Sequence, residues 1–205
     1  MGDKKRTSEI RNLIFELNCV GINCFRSLEQ FYSYKKRGDG KSGLDEVLDE
    51  LLYLAENCFM RLYILREKTL QLINLILEID LDEGDVNFKL IKNNKKVKKI
   101  GLSKMLDRFH RGKLGKAISF RTKATHRKGK IVFIDKRPIV LPETTKEITL
   151  ESWKEEISGI LSGAMKEYSS LKNKIYKKLG VKKIIDEWDR EYGEEIKEYG
   201  GGRDA

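Results

Sequence analysis

Proline, histidine and cysteine are all scarce in this chain. Two prolines occur in 205 residues, Pro138 and Pro142, so long helices elsewhere meet no backbone obstacle. The three cysteines, Cys19, Cys24 and Cys58, are odd in number, contain no CxxC pair and fall in apolar-periodic segments. Neither a disulfide framework nor a zinc site is expected from them, and buried thiols are. Long hydrophobic runs are missing too. No stretch approaches the roughly 20 apolar residues that cross a bilayer as a helix, and Asp3-Lys4-Lys5-Arg6 is followed by no uninterrupted apolar run. Neither a leader peptide nor a membrane anchor is expected, and the cytoplasm is the expected compartment. No His, Cys, Asp or Glu cluster has a recognised metal spacing, so the expectation is no metal and no other cofactor.

What is present is charge, unevenly placed. Charged residues make up 36% of the chain and hydrophobic ones 40%, with a net charge of +10. From Asp85 to Arg137 there are 18 lysines and arginines against 3 acids, leaving the remainder at −5. A field segregated in this way attracts polyanions by steering and counterion release. A solvated lysine-rich loop is the plainer account of the same residues. The length suits one domain with a sizeable core.

The apolar pattern is helical almost throughout. A first helix is expected from about Thr7 to Lys36, with Ile10, Leu13, Ile14, Leu17, Cys24, Leu28 and Phe31 at spacings of three and four. Gly38 to Gly43 breaks it as a turn, because the glycines lack P-loop spacing and no strand precedes them. Ser42, with Asp45 three residues on, is a candidate N-cap for a second helix reaching about Glu78. That helix is apolar on too many sides for a surface element and is expected at the centre. Asp80 to Ile100 loses periodicity and is read as a basic loop (about 81–101). A short helix from Ser103 to His110 follows, then a connector to Gly115 and a helix over about 116–128 closed by Gly129. Ile131-Val-Phe-Ile134, with two prolines soon after, suggests an extended crossing segment or a minimal hairpin. A last long helix starts after Thr149 and runs to Gly180, with a short amphipathic helix beyond it carrying Ile184, Ile185, Trp188 and Tyr192. The fold class is therefore all-α: a four-helix up-down bundle with a basic loop insertion and a short extra C-terminal helix. The expected domain spans 1–198, and 199–205 is a flexible tail.

The two histidines, His110 and His126, both lie in the basic region. Histidine titrates near neutral pH, and arginine is a permanent planar cation suited to phosphate. Arg121-Thr-Lys-Ala-Thr-His126 brings the two together in sequence. On a straight helix, however, Arg121 and His126 lie roughly 140° and about 7.5 Å apart. Thr122, four residues before His126, shares its face instead. Convergence of Arg121 with His126 needs a long arginine reaching round, a helix that ends near His126, or a second copy of the chain. Lys123, Arg127, Lys128 and Lys130 are candidate phosphate contacts with no base reading implied.

Arg-x4-His on the third helix of an all-α chain resembles the signature of the HEPN superfamily (higher eukaryotes and prokaryotes nucleotide-binding domains). The Arg61-Leu-Tyr-Ile-Leu-Arg-Glu-Lys-Thr-Leu70 segment also resembles members whose second helix bears an Arg-Glu-Lys cluster, and the likeness covers about Ile10 to Leu179. The resemblance implies a bundle, homodimerisation and metal-independent endoribonuclease activity in a toxin or defence effector. It also implies a partner of antitoxin type, such as a minimal nucleotidyltransferase. In that family picture His126 acts on, or positions, the ribose 2′-hydroxyl and Arg121 stabilises the charged phosphorane. Thr122 departs from the pattern, since many active members carry Asn, Asp or His there. Two other readings stand beside this one: a non-catalytic RNA- or nucleotide-binding or scaffold module, and a structural helical interaction protein. His110, between Arg108 and Arg111, is read as a surface histidine. Arg66, Glu67 and Lys68 are read as a structural ion-pair patch, Asn74 as a buried hydrogen-bonding group, and Trp153 and Trp188 as core residues.

Overall fold

The structure, a computed structural model, describes residues 2–33, 44–125, 130–134, 137–141 and 149–187. Helix α1 spans Gly2–Ser33 and α2 spans Leu44–Ile76. Helix α1 begins earlier than the apolar pattern alone indicates, and the cap proposed at Ser42 lies outside the described residues. One face of α1 is buried through Ile10, Leu13, Ile14, Leu17, Cys24, Leu28 and Phe31. On α2 the buried arc is wider, from Leu51 and Ala55 through Leu62, Leu65, Leu70 and Ile73. The reason is that α2 meets α1, α3, α6 and α7. It is the central element its composition indicates.

The two ends of this helix pair are tied by Arg6. Its guanidinium donates to the carbonyl oxygens of Leu75 (3.2 Å) and Ile76 (3.1 Å), and it pairs with Glu78. Carbonyls at a helix C-terminus lack intrahelical partners, and here an arginine from the neighbouring helix supplies them. Asn74 donates to the Leu81 carbonyl (2.9 Å) and accepts from the Leu81 amide (3.2 Å), which folds the chain sharply after α2.

The segment read as a loop is not one. After a 3-10 turn at Glu83–Asp85 come two short helices, α3 (Phe88–Asn93) and α4 (Lys95–Lys99). Asn87 caps α3 by accepting from the Leu90 amide, and Asn94 caps α4 by accepting from Lys96. Val86, Ile91, Val97 and Leu102 are buried. One apolar anchor per turn was too sparse to register as periodicity among the lysines, yet it is enough to seat helices this short on a larger core.

Helix α5 (Ser103–Arg111) buries Leu106 and Phe109, and α6 (Lys113–Thr125) follows with only Gly112 between them. The expected connector over 111–115 is thus one residue, and α6 starts three residues earlier than expected. Strands β1 (Lys130–Ile134) and β2 (Arg137–Leu141) form an antiparallel hairpin, with Phe133 opposite Pro138. A two-stranded hairpin has only edge strands, where a missing amide is tolerated. Helix α7 (Leu150–Leu179) starts at Thr149, whose hydroxyl accepts from the Ser152 amide, and stops at Gly180 with φ +66°. Residues 181–187 continue as a further short helix; Trp188 and Tyr192, placed there from sequence, lie outside the described residues.

The fold is all-α apart from the hairpin. Helix α7 packs on α1, α2, α5 and α6, burying Trp153, Ile157, Leu161, Ala164, Met165, Tyr168 and Ile175. Trp153 meets Phe31 edge-on, centroids 6.1 Å apart, as core packing requires. Cys24 and Cys58 are buried and Cys19 half-buried. Among the described residues no helix is long and apolar enough to cross a membrane.

Candidate functional site

The inner face of α6 is formed by Leu114, Ala117 and Ile118, all buried against α2 and α7. Arg121 stands seven, four and three residues beyond them, so its register along α6 continues the inner stripe. Lys113, Lys116 and Ser119 are exposed, and Lys123 follows Lys116 by seven, which places it in the outer register. Arg121, Thr122 and Lys123 all fall in the last turns of α6. His126, Arg127 and Lys128 lie outside the described residues, and Lys130 opens β1. Strand β2 packs back on α6, which holds the hairpin beside the helix that carries Arg121.

The other end of α6 is fixed unusually firmly. Glu167 on α7 accepts from the Leu114 amide at 2.7 Å, satisfying one of the open donors at the α6 N-terminus with a charge of the sign the helix dipole favours there. A Cβ at Gly112 would lie 2.0 Å from the Glu167 carboxylate oxygen. At Gly115 a Cβ would lie 1.7 Å from the backbone carbonyl oxygen of His110. Gly115 is therefore required by close approach to backbone rather than by φ, whereas a side chain at Gly112 would require the Glu167 carboxylate to shift. Glu167 carried no sequence signal, because its partner is a backbone amide 53 residues away.

A second group of charged and aromatic side chains sits where α2, α3 and α5 meet. The His110 ring stacks on Phe88, centroids 4.2 Å apart and planes 18° off parallel. Partial burial, then the charges of Arg66 and Arg111, hold the His110 pKa below its ordinary value. Arg66 donates twice to one oxygen of Glu67 (2.9 and 2.8 Å) and lies over the Tyr63 ring. Lys92 pairs with Asp107 and stands over Phe88. Lys68 takes no part here; it pairs with Glu16 on α1. His110 is exposed, as read from the sequence. Its stacking partner was missed because Phe88 was assigned to a loop.

Among the described residues no group of three or more His, Cys, Asp or Glu side chains could hold a metal ion. Compared with protein-family models, residues 42–183 match the one described as HEPN_Cthe2314-like HEPN. Neither curated proteins nor solved structures give a match. The matched span runs from the start of α2 through α7 and leaves α1 outside it.

Proposed function

The chain belongs to the HEPN superfamily, whose domains serve nucleotide- and RNA-related functions and are frequently ribonucleases, and on that premise we propose that it is a metal-independent endoribonuclease. The observation that carries the reading is the position of Arg121 near the end of α6, inside the matched span and within the most basic part of the chain. RNA supplies its own nucleophile. The 2′-hydroxyl attacks the adjacent phosphorus as His126 takes or orients its proton. The bond to the 5′-oxygen breaks, that oxygen leaves as an alcohol with a proton from water, and a 2′,3′-cyclic phosphate remains. Arg121 offsets the charge gathering on the phosphorane, while Thr122 hydrogen-bonds His126. Lys123, Arg127, Lys128 and Lys130 hold backbone phosphates. The functional unit spans 1–198 and acts in the cytoplasm as a homodimer, whose two motifs share one cleft. It serves as a toxin or defence effector, held in check by an antitoxin of minimal nucleotidyltransferase type.

The test is RNA cleavage by purified protein in EDTA, with product ends analysed. Cyclic phosphate termini are expected, and His126→Ala should lower the rate about a hundredfold to ten-thousandfold. Intact RNA after incubation with folded protein would overturn the reading. One observation favours a second one, a non-catalytic RNA-binding module: Thr122 stands where many active members carry Asn, Asp or His. In that case RNA binding falls with salt, and His126→Ala leaves it unchanged.

A further inference from the structure

The cluster around His110 has no part in the proposed chemistry, and its composition is unusual for a packing contact. Two aromatic rings lie face to face, one of them on an exposed residue and the other half-buried. Lys92 from α3 stands over Phe88, and Arg66 from α2 and Arg111 from α5 lie near enough for their charges to act on His110. Two carboxylates answer, Glu67 to Arg66 and Asp107 to Lys92. No described carboxylate lies within ion-pair distance of Arg111, so the group carries a net positive charge.

We propose that Phe88, His110 and Arg111 form a second RNA-contact surface, which takes an unpaired base on the ring stack and a flanking phosphate on Arg111. This rests on the reading that the chain acts on RNA. Every base has a π-face, so stacking of this kind is tolerant of sequence. It requires a base splayed out of a helix, and the ligand is accordingly single-stranded. Guanidinium groups present planar forks that fit phosphate oxygens. The surface is continuous with the motif helix. His110 and Arg111 end α5, Gly112 turns the chain, and Lys113 and Lys116 are exposed along α6. Lys123 continues the register of Lys116, and from Lys113 to Lys123 is ten residues, about 15 Å of helix, so a strand bound at the stack can run along these lysines to the end of α6 that carries the motif.

The experiment measures binding of a fluorescein-labelled single-stranded RNA 12-mer, 2′-O-methylated throughout so that no 2′-hydroxyl can attack, by anisotropy over a salt series. Phe88→Leu should weaken binding about tenfold while Phe88→Tyr stays within twofold of wild type. Arg111→Gln should reduce the salt slope by about one. Circular dichroism melting establishes that each variant is folded; if Phe88→Leu is not, Arg111→Gln, an exposed position, decides alone. Unchanged affinity and slope in the folded variants overturn the proposal, as does equal binding of the same sequence as a duplex. Cleavage of unmodified RNA is scored separately. A wild type that does not cleave but loses binding in these variants keeps this surface and removes the active-site reading. A wild type that cleaves, with binding indifferent to the variants, does the reverse.

Discussion

Single residues show how far chemistry can be read before structure. Cys24 and Cys58, read as buried thiols, are in the core, and burial raises the Cys24 thiol to about 12 and the Cys58 thiol to about 11. At pH 8 roughly a thousandth or less of either is thiolate, the reactive form. Both should resist iodoacetamide in the folded protein and react once urea unfolds it, as mass spectrometry of the alkylated chain would show. The same shifts link stability to pH. The folded state holds protons that the unfolded chain releases near the ordinary thiol value, so stability falls as pH rises from about 9 toward 11 or 12. In Cys24→Val/Cys58→Val the alkaline decline in melting temperature should be shallower; an identical decline would place its origin elsewhere. Arg121 and His126 were legible as a pair only in sequence. Backbone register puts Arg121 on the inner stripe of α6, which a six-residue motif cannot reveal without the buried positions of Leu114, Ala117 and Ile118.

Elements divide sharply by length. Helices α1, α2 and α7 were legible because thirty or so residues repeat an apolar spacing many times, and Thr149 and Gly180 bound α7 with strong cap chemistry. Helices α3 and α4 were not, because six and five residues offer a single buried position each. Their better signals were Asn87 and Asn94, two cap residues among lysines. The α6 N-terminus could not be read at all, since its cap comes from α7. Glu167→Ala removes the acceptor of the Leu114 amide and should cost about 1–2 kcal/mol in urea unfolding, with Glu167→Gln recovering part of the loss. A loss under a few tenths of a kcal/mol would mean that water satisfies that amide equally well.

At the scale of the whole molecule, the all-α class and the HEPN relationship were both within reach of the sequence, the first from periodicity and the second from the placement of Arg121. The arrangement around α2 needed the structure, because a helix apolar on many sides does not name its neighbours. Helix α1 lies outside the family match yet supplies Leu17, Cys24 and Phe31 to the same core. Self-association is the remaining molecular expectation. Light scattering after size exclusion should give twice the chain mass, and a monomer that still cleaves RNA would show that one motif suffices. On the proposed action on RNA, the charge division from Asp85 to Arg137 predicts that RNA affinity drops steeply between low and physiological salt, with acidic competitors such as heparin displacing the RNA.

The corner at Gly115 has a bearing on motion. With the His110 carbonyl already within contact distance of the glycine Cα, and Glu167 holding the first turn of α6, the angle between α5 and α6 has little room to close. The two helices then behave as a bent lever rather than as hinged rods. On the reading that both surfaces take RNA, the stack at His110 and the motif at the far end of α6 therefore keep a spacing set by this corner rather than by the ligand.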